Sequence, residues 1–208
     1  MNKWKESELV RSLVGFFLLF LLFVGLFIFV VPSTHQSSKI AEKIKSIKNE
    51  KVTYVAIGDS LTQGVGDSSN QGGFVPVLSQ ALESDFDWQV TSRNYGIAGN
   101  TSNQILKRMQ EKKDIQRDLK KAKVMTLTVG GNDVIKDNIT NLNVATFTKP
   151  AQAYQKRLGQ IIELARKENK TLPIYIVGIY NPFYLNFPEM TEMQTIVDNW
   201  NQSTEEVC

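Results

Sequence analysis

The chain has 208 residues, with 24 basic and 21 acidic side chains, a net charge of +3 and a hydrophobic share of 42%. That balance is globular, not disordered, and too mildly basic to point to nucleic acid. One cysteine, Cys208, excludes an internal disulfide framework and any cysteine-based zinc site, and one histidine, His35, limits every mechanism that needs an imidazole base.

Residues 1–12 form a short polar tail with Lys3, Lys5 and Arg11. Residues 13–31 are an uncharged run of 19, of which 17 are hydrophobic. At about 1.5 Å per residue, a helix of this length comes close to crossing a hydrocarbon core of roughly 30 Å, so the run reads as a transmembrane anchor. A cleaved signal peptide is the rival reading, but its apolar region is shorter and ends at small residues. The basic tail places the N-terminus inside the cell and the residues beyond the span outside. Residues 32–51 form a linker in which Ile40, Ile44 and Ile47 recur at helical spacing among lysines, an amphipathic stalk or a contact for anionic headgroups.

From residue 52 strands and helices alternate. Val52–Ile57 reads as a first strand, Gly73–Glu83 as a helix and Trp88–Arg93 as a second strand. A glycine-punctuated loop over Asn94–Asn100 and one long helix over Thr101–Lys121 follow. Val124–Val129 reads as a third strand, residues 134–149 as a loop or short broken helix, and Ala151–Asn169 as a helix. Pro173–Ile179 reads as a fourth strand and Glu189–Glu206 as a last helix, with Met193, Ile196, Val197 and Trp200 on one face. Alternation of this kind predicts an α/β fold with a parallel sheet, helices on both faces, and ligands at the carboxyl ends of the strands. The chain stops after a helix, where such a sheet would continue, so the edge strand is expected to be missing.

Three glycine-rich signals fall at that carboxyl edge. Gly58-Asp59-Ser60-Leu61 follows the first strand, Asn94 and Gly99 lie in the loop after the second, and Gly130-Gly131-Asn132-Asp133 follows the third. Each alone is most simply a turn. Together they place a hydroxyl nucleophile, a backbone N–H from a glycine loop and a side-chain amide at one edge, which suits acyl transfer with a stabilised oxyanion. The aromatic-rich segment 179–187, with Val134 and Ile135, either lines a substrate pocket or packs on the core. Asn138-Ile139-Thr140 matches a glycosylation acceptor.

These blocks, and the longer IGDSLTQGVGD with Asn-Tyr-Gly-Ile-Ala-Gly-Asn-Thr, resemble the GDSL, or SGNH, hydrolase family, in its membrane-anchored lipase/acylhydrolase branch of Gram-positive bacteria. The resemblance covers residues 52–208. It implies a flavodoxin-like three-layer α/β/α sandwich and hydrolysis of esters or thioesters, without metal or organic cofactor. It also implies Ser60 as nucleophile and donor of an oxyanion N–H, with Gly99 and Asn132 completing the oxyanion hole. Gly58, Asp59, Asn94, Gly130, Gly131 and Asp133 support the motifs. The expected substrate is an acyl lipid or an acylated glycan.

One departure stands out. The family's last block, Asp-x-x-His, supplies the base, whereas residues 198–201 here read Asp-Asn-Trp-Asn and no histidine follows His35. A chain truncated before that block is the preferred explanation, and a complete protein that has lost catalysis is the other. A serine hydroxyl without a base is a poor nucleophile. The expected function is therefore a membrane-anchored, outward-facing serine ester hydrolase with impaired turnover. The alternative is a non-catalytic surface module that binds glycan or lipid in the remnant pocket.

Overall fold

The structure is a computed structural model that describes residues 50–138, 143–181, 184 and 191–208. The expected tail (1–12), membrane span (13–31) and almost all of the linker (32–51) lie outside these residues, as do His35, 139–142 and most of 182–190. Among the described residues no helix is long and apolar enough to cross a membrane.

Four strands alternate with seven helices among the described residues. They are β1 (Lys51–Gly58), α1 (Ser60–Gln63), α2 (Phe74–Phe86), β2 (Gln89–Gly96), α3 (Ser102–Glu111), α4 (Lys113–Lys121), β3 (Ala122–Thr128), α5 (Gly131–Asn138), α6 (Val144–Glu168), β4 (Ile174–Val177) and α7 (Thr191–Glu205). The sheet is all parallel in the order β2-β1-β3-β4, the flavodoxin-like order over these strands. Side chains alternate across it with the period of two that strands impose. Val55 and Ile57 of β1 join Met125 and Leu127 of β3 in a large core with α3, α4, α6 and α7. Tyr54, Ala56 and Val124 point the other way, into a smaller core with Val75 and the inner face of α2. The Tyr54 hydroxyl finds Thr126 Oγ1 at 2.6 Å on that second face.

Register aligns the strand ends. Gly58 pairs with Gly96, Ile57 with Leu127, and Thr128 with Val177, so all four strands finish at one edge. There the glycines permit close approach. A Cβ on Gly58 would collide with the hydroxyls of Thr128 and Thr62 and stand 2.7 Å from Thr128 O, and one on Gly96 would strike the Gln63 amide nitrogen and come within 2.5 Å of Thr62 C.

Four expectations are corrected. The second strand does not end at Arg93 but runs through Asn94 to Gly96. β2 is an edge strand with exposed side chains, so its polar residues cost little while its backbone pairs with β1. The single helix over 101–121 is two, because Lys112 takes an extended conformation between α3 and α4. The Gln116 amide caps the break, donating to Met109 O at 3.0 Å and Gln110 O at 2.9 Å. The helix expected from Ala151 begins at Val144, so of the segment 134–149, expected as a loop or a short broken helix, the described residues 134–138 and 144–149 are helical. Asn143 caps α6 by accepting from the Ala145 N–H, and Phe147, Ala151, Tyr154 and Leu158 bury one continuous face despite Pro150. The fourth strand keeps four of its seven expected residues. Beyond Val177 the Asn201 side chain replaces a strand partner, accepting from Ile179 N–H and donating to Ile179 O, both at 2.9 Å.

The last helix buries the expected face. Trp200 packs on Tyr154 with ring centroids 5.2 Å apart, and its indole nitrogen stands 3.0 Å from where a Gly130 Cβ would be. Gly130 has φ +114°, so both its conformation and its crowding favour glycine. Residues 198–201, which read Asp-Asn-Trp-Asn, lie within this helix α7. There Trp200 is core, and Asp198 is exposed, accepting from Gln194 Nε2 at 2.8 Å.

Candidate active site

Ser60 opens α1 directly after β1, and Asp59 sets the turn. The Asp59 carboxylate accepts from Leu61 N–H at 3.1 Å and from the Thr128 hydroxyl at 2.7 Å, while Asp59 N–H donates to Thr128 Oγ1 at 3.2 Å. Because the Thr128 proton goes to Asp59, the 2.8 Å contact between the Thr62 and Thr128 hydroxyls has Thr62 as donor. Thr128 Oγ1 therefore holds three hydrogen bonds and ties the Ser60 turn to the end of β3. Asp59 and Thr128 are both buried, and Ser60 between them is half-exposed. Ser60 Oγ has no hydrogen-bond partner among the described residues.

The loop after β2 is held on several sides. Asn94 Nδ2 donates to Thr62 O at 2.7 Å, and its Oδ1 accepts from Gly96 N–H at 2.8 Å. Gln63 Oε1 accepts from Ala98 N–H at 2.5 Å. Arg108 of α3 donates to Tyr95 O at 2.8 Å and to Asn100 Oδ1 at 3.1 Å. Gly99 stands at the exposed tip with φ +78°, and a Cβ there would meet nothing within 4 Å. Its constraint is backbone conformation, unlike the crowding at Gly58.

Asn132 and Asp133 open α5. Asn132 Nδ2 donates one proton to Asn100 O at 3.0 Å, which sets the amide beside the Gly99 loop and leaves its second proton unclaimed. The N–H groups of Ser60 and Gly99 are likewise unclaimed among the described residues. Asp133 faces inward and is buried.

Ser60 and Asn132 share a cleft of about 170 Å³, whose walls include Leu61, Ile135, Ile179 and Val197. Exposed Tyr180 also lines it, and Val134 and Met193 both line it and belong to the core. Of the aromatic segment expected at a pocket, Ile179 and Tyr180 are brought to Ser60, while 182–183 and 185–187 lie outside the described residues. Gly99 does not line the cleft itself. Gly58, Asn94, Gly130 and Asp133 act as supports behind it. Among the described residues no group of three or more His, Cys, Asp or Glu is placed to hold a metal ion.

Ser102, Arg108, Thr128 and Arg157 escape sequence reasoning, while Thr62 and Gln63 fall within IGDSLTQGVGD without a role assigned to them. They carry the hydrogen bonds that fix the three loops, and only the contacts between distant segments single them out. Asp67 is partly legible, as the last residue of IGDSLTQGVGD. It accepts from the N–H groups of Ser69, Gln71 and Gly73, at 2.9, 2.8 and 3.0 Å, and shapes the loop after α1. With the Ser69 hydroxyl first among the causes, these donors hold its carboxyl well below the usual carboxylate range.

Residues 56–208 match the model of the GDSL-like Lipase/Acylhydrolase family. The chain is 34% identical over 178 residues to the uncharacterized protein YpmR of Bacillus subtilis (strain 168), a match covering 83% of this chain and 69% of that one. It is 28% identical over 137 residues to the spore germination lipase LipC of Bacillus licheniformis, covering 62% of this chain and 64% of that one. The fold is similar to the crystal structure of the lipase Lip_vut3 from a goat rumen metagenome, with TM-score 0.67 and 25% identity over 74% of this chain and 75% of that one.

Proposed function

The chain belongs to the GDSL-like lipase/acylhydrolase family, and from that premise we propose that it is a serine ester hydrolase with Ser60 as nucleophile. One observation carries the reading. A half-exposed serine hydroxyl and an amide with one unclaimed proton share one mostly apolar cleft at the carboxyl edge of a parallel sheet. Ser60 Oγ attacks the acyl carbon. The tetrahedral oxyanion takes hydrogen bonds from Ser60 N–H and Asn132 Nδ2, whose residues line the cleft, and from Gly99 N–H on the adjoining loop. The ester C–O bond breaks and the alcohol leaves with the proton given up by Ser60 Oγ; water then attacks the acyl-enzyme, releasing the acid and returning a proton to Ser60 Oγ.

The described residues include no histidine, and the chain's one histidine is His35. Removing the histidine of a comparable triad costs on the order of a million-fold in turnover. The 208-residue chain is therefore expected to turn over a chromogenic ester slowly. A fluorophosphonate probe is expected to label it slowly, at Ser60 only, and faster when imidazole is added as an external base. Ser60→Ala abolishes the label. No labelling with imidazole present, or labelling that survives Ser60→Ala, overturns the reading and leaves the cleft as a binding site for glycan or lipid. Turnover equal to that of an active relative refutes the expectation of impairment.

The substrate proposed is an acyl lipid or an acylated glycan, in keeping with the apolar wall of Leu61, Ile135, Ile179 and Val197. Residues 13–31 are proposed as a single-pass anchor, with the N-terminus inside the cell and the domain outside. Protease treatment of intact cells tests this, since an outward domain is digested and an inward one is protected.

A further inference from the structure

Behind the cleft, three side chains from three helices close a ring. Arg157 of α6 donates from Nε to Ser102 Oγ at 2.6 Å and from its terminal nitrogen to Asp133 Oδ1 at 3.1 Å. The Ser102 hydroxyl donates to the same Asp133 oxygen at 2.6 Å. The proton order has one solution, because a guanidinium only donates and a carboxylate only accepts, so Ser102 accepts from Arg157 and donates to Asp133. The other Asp133 oxygen accepts from Ser102 N–H at 2.8 Å. Asp133 has 3% of its side chain exposed and Arg157 24%, so water competes little for these bonds.

The ring's location is what matters. Asp133 is next to Asn132, and Ser102 begins α3 just after the Gly99 loop. Asn132 Nδ2 joins the same two segments at Asn100 O. The Gly99 loop and the Asn132 loop are therefore cross-linked twice, once at the cleft and once behind it. Buried ionic groups rarely add net stability over apolar packing of equal volume, and in some systems they hold a unique geometry. Here the geometry fixed is the spacing of two oxyanion donors.

We propose that Arg157 is a positioning residue that, through Ser102 and Asp133, holds the Gly99 loop in register with Asn132. This rests on the oxyanion roles proposed for Gly99 and Asn132, and its test has one arm independent of catalysis. In that arm, amide hydrogen exchange is compared in the full chain and in Arg157→Met. Exchange in segments 97–102 and 130–136 is expected to rise together by more than tenfold, while β1 and α2 stay unchanged. Arg157→Lys restores the charge and one donor, and is expected to recover part of the protection. Unchanged loops, or a uniform rise across the domain, overturn the proposal. In the second arm, fluorophosphonate inactivation is measured with imidazole present. The maximal rate constant is expected to fall at least tenfold in Arg157→Met with half-saturation within twofold, and to recover partly in Arg157→Lys. A change confined to half-saturation overturns it. If the unsubstituted chain is not labelled at all, the ester-hydrolase reading fails, and the exchange arm still decides whether Arg157 couples the loops.

Discussion

Replacing Thr128 by Val keeps the shape of a side chain only 1% exposed and deletes its oxygen. Three hydrogen bonds go with it: from Asp59 N–H at 3.2 Å, from Thr62 Oγ1 at 2.8 Å and to Asp59 Oδ1 at 2.7 Å. Thr62 can turn its one proton to Ile57 O, 3.3 Å away, and the carboxylate retains Leu61 N–H at 3.1 Å. Asp59 N–H retains nothing and stays buried, which costs about 1–3 kcal/mol, and the lost bond to a carboxylate costs about 1.5–3 kcal/mol. Burying a methyl in place of the hydroxyl offsets about 1 kcal/mol, for a net loss of about 3 kcal/mol. For a domain of this size that lowers Tm by about 6–12 °C. Urea unfolding followed by tryptophan fluorescence reads the free energy, and Thr128→Ser, which keeps the oxygen, is expected to lose only about 1 kcal/mol. Because the same bonds hold the Ser60 turn, imidazole-assisted labelling of Ser60 falls in Thr128→Val at temperatures where the protein is folded. A loss below about 1 kcal/mol in Thr128→Val, or an equal loss in Thr128→Ser, refutes the claim that this oxygen organises the turn.

Two glycines at the site respond differently to the same change. Gly58→Ala drives a methyl into Thr128 and Thr62 and unfolds the domain or lowers its melting temperature sharply, whereas Gly99→Ala meets open space and loses only about 1–2 kcal/mol for its positive φ. Thermal melts of the two variants check this, and equal losses contradict it. Burial and the neighbouring Asp118 push the Tyr95 hydroxyl up to about 12, and burial, first among its causes, pushes Tyr154 up to about 12 as well. Both pKa values are higher folded than unfolded, so their contribution is complete below pH about 10 and is lost as pH rises from there through 12. Urea midpoints are expected to fall over that range, less steeply in Tyr95→Phe. A flat midpoint argues against the coupling. Asp118 has the opposite sign. Burial raises its carboxyl, but the Tyr95 hydroxyl with Arg117 and Arg93 outweighs that and holds it below the usual range. Its contribution is present above the ordinary carboxylate value and is lost as pH falls, and Asp118→Asn is expected to flatten that acid limb.

The sequence alone determined the order of the four strands, the family, and the placing of Ser60, Gly99 and Asn132 after successive strands. Those features are local. Apolar strand runs, glycines at strand ends and a last helix with Trp200 on its inner face follow from neighbours in the chain. The polar edge strand β2 was legible only to Arg93, because its pairing with β1 is made by backbone and leaves no apolar signature. The break at Lys112 carries no glycine or proline, and its cap comes from Gln116 folding back. Helix α6 begins before Pro150 because tertiary burial of Phe147 outweighs the proline penalty.

Only the tertiary structure decided how the site is held. The partners of Thr128 lie 66 and 69 positions away, and Arg157 reaches Ser102 across 55. No periodicity records such separations, since a hydrogen bond between distant segments constrains two side chains and leaves everything between them free. The chain's own sequence names the groups proposed to react. The parallel register that brings Gly58 beside Gly96, and Thr128 beside Val177, turns those names into one edge with a cleft and three supported loops.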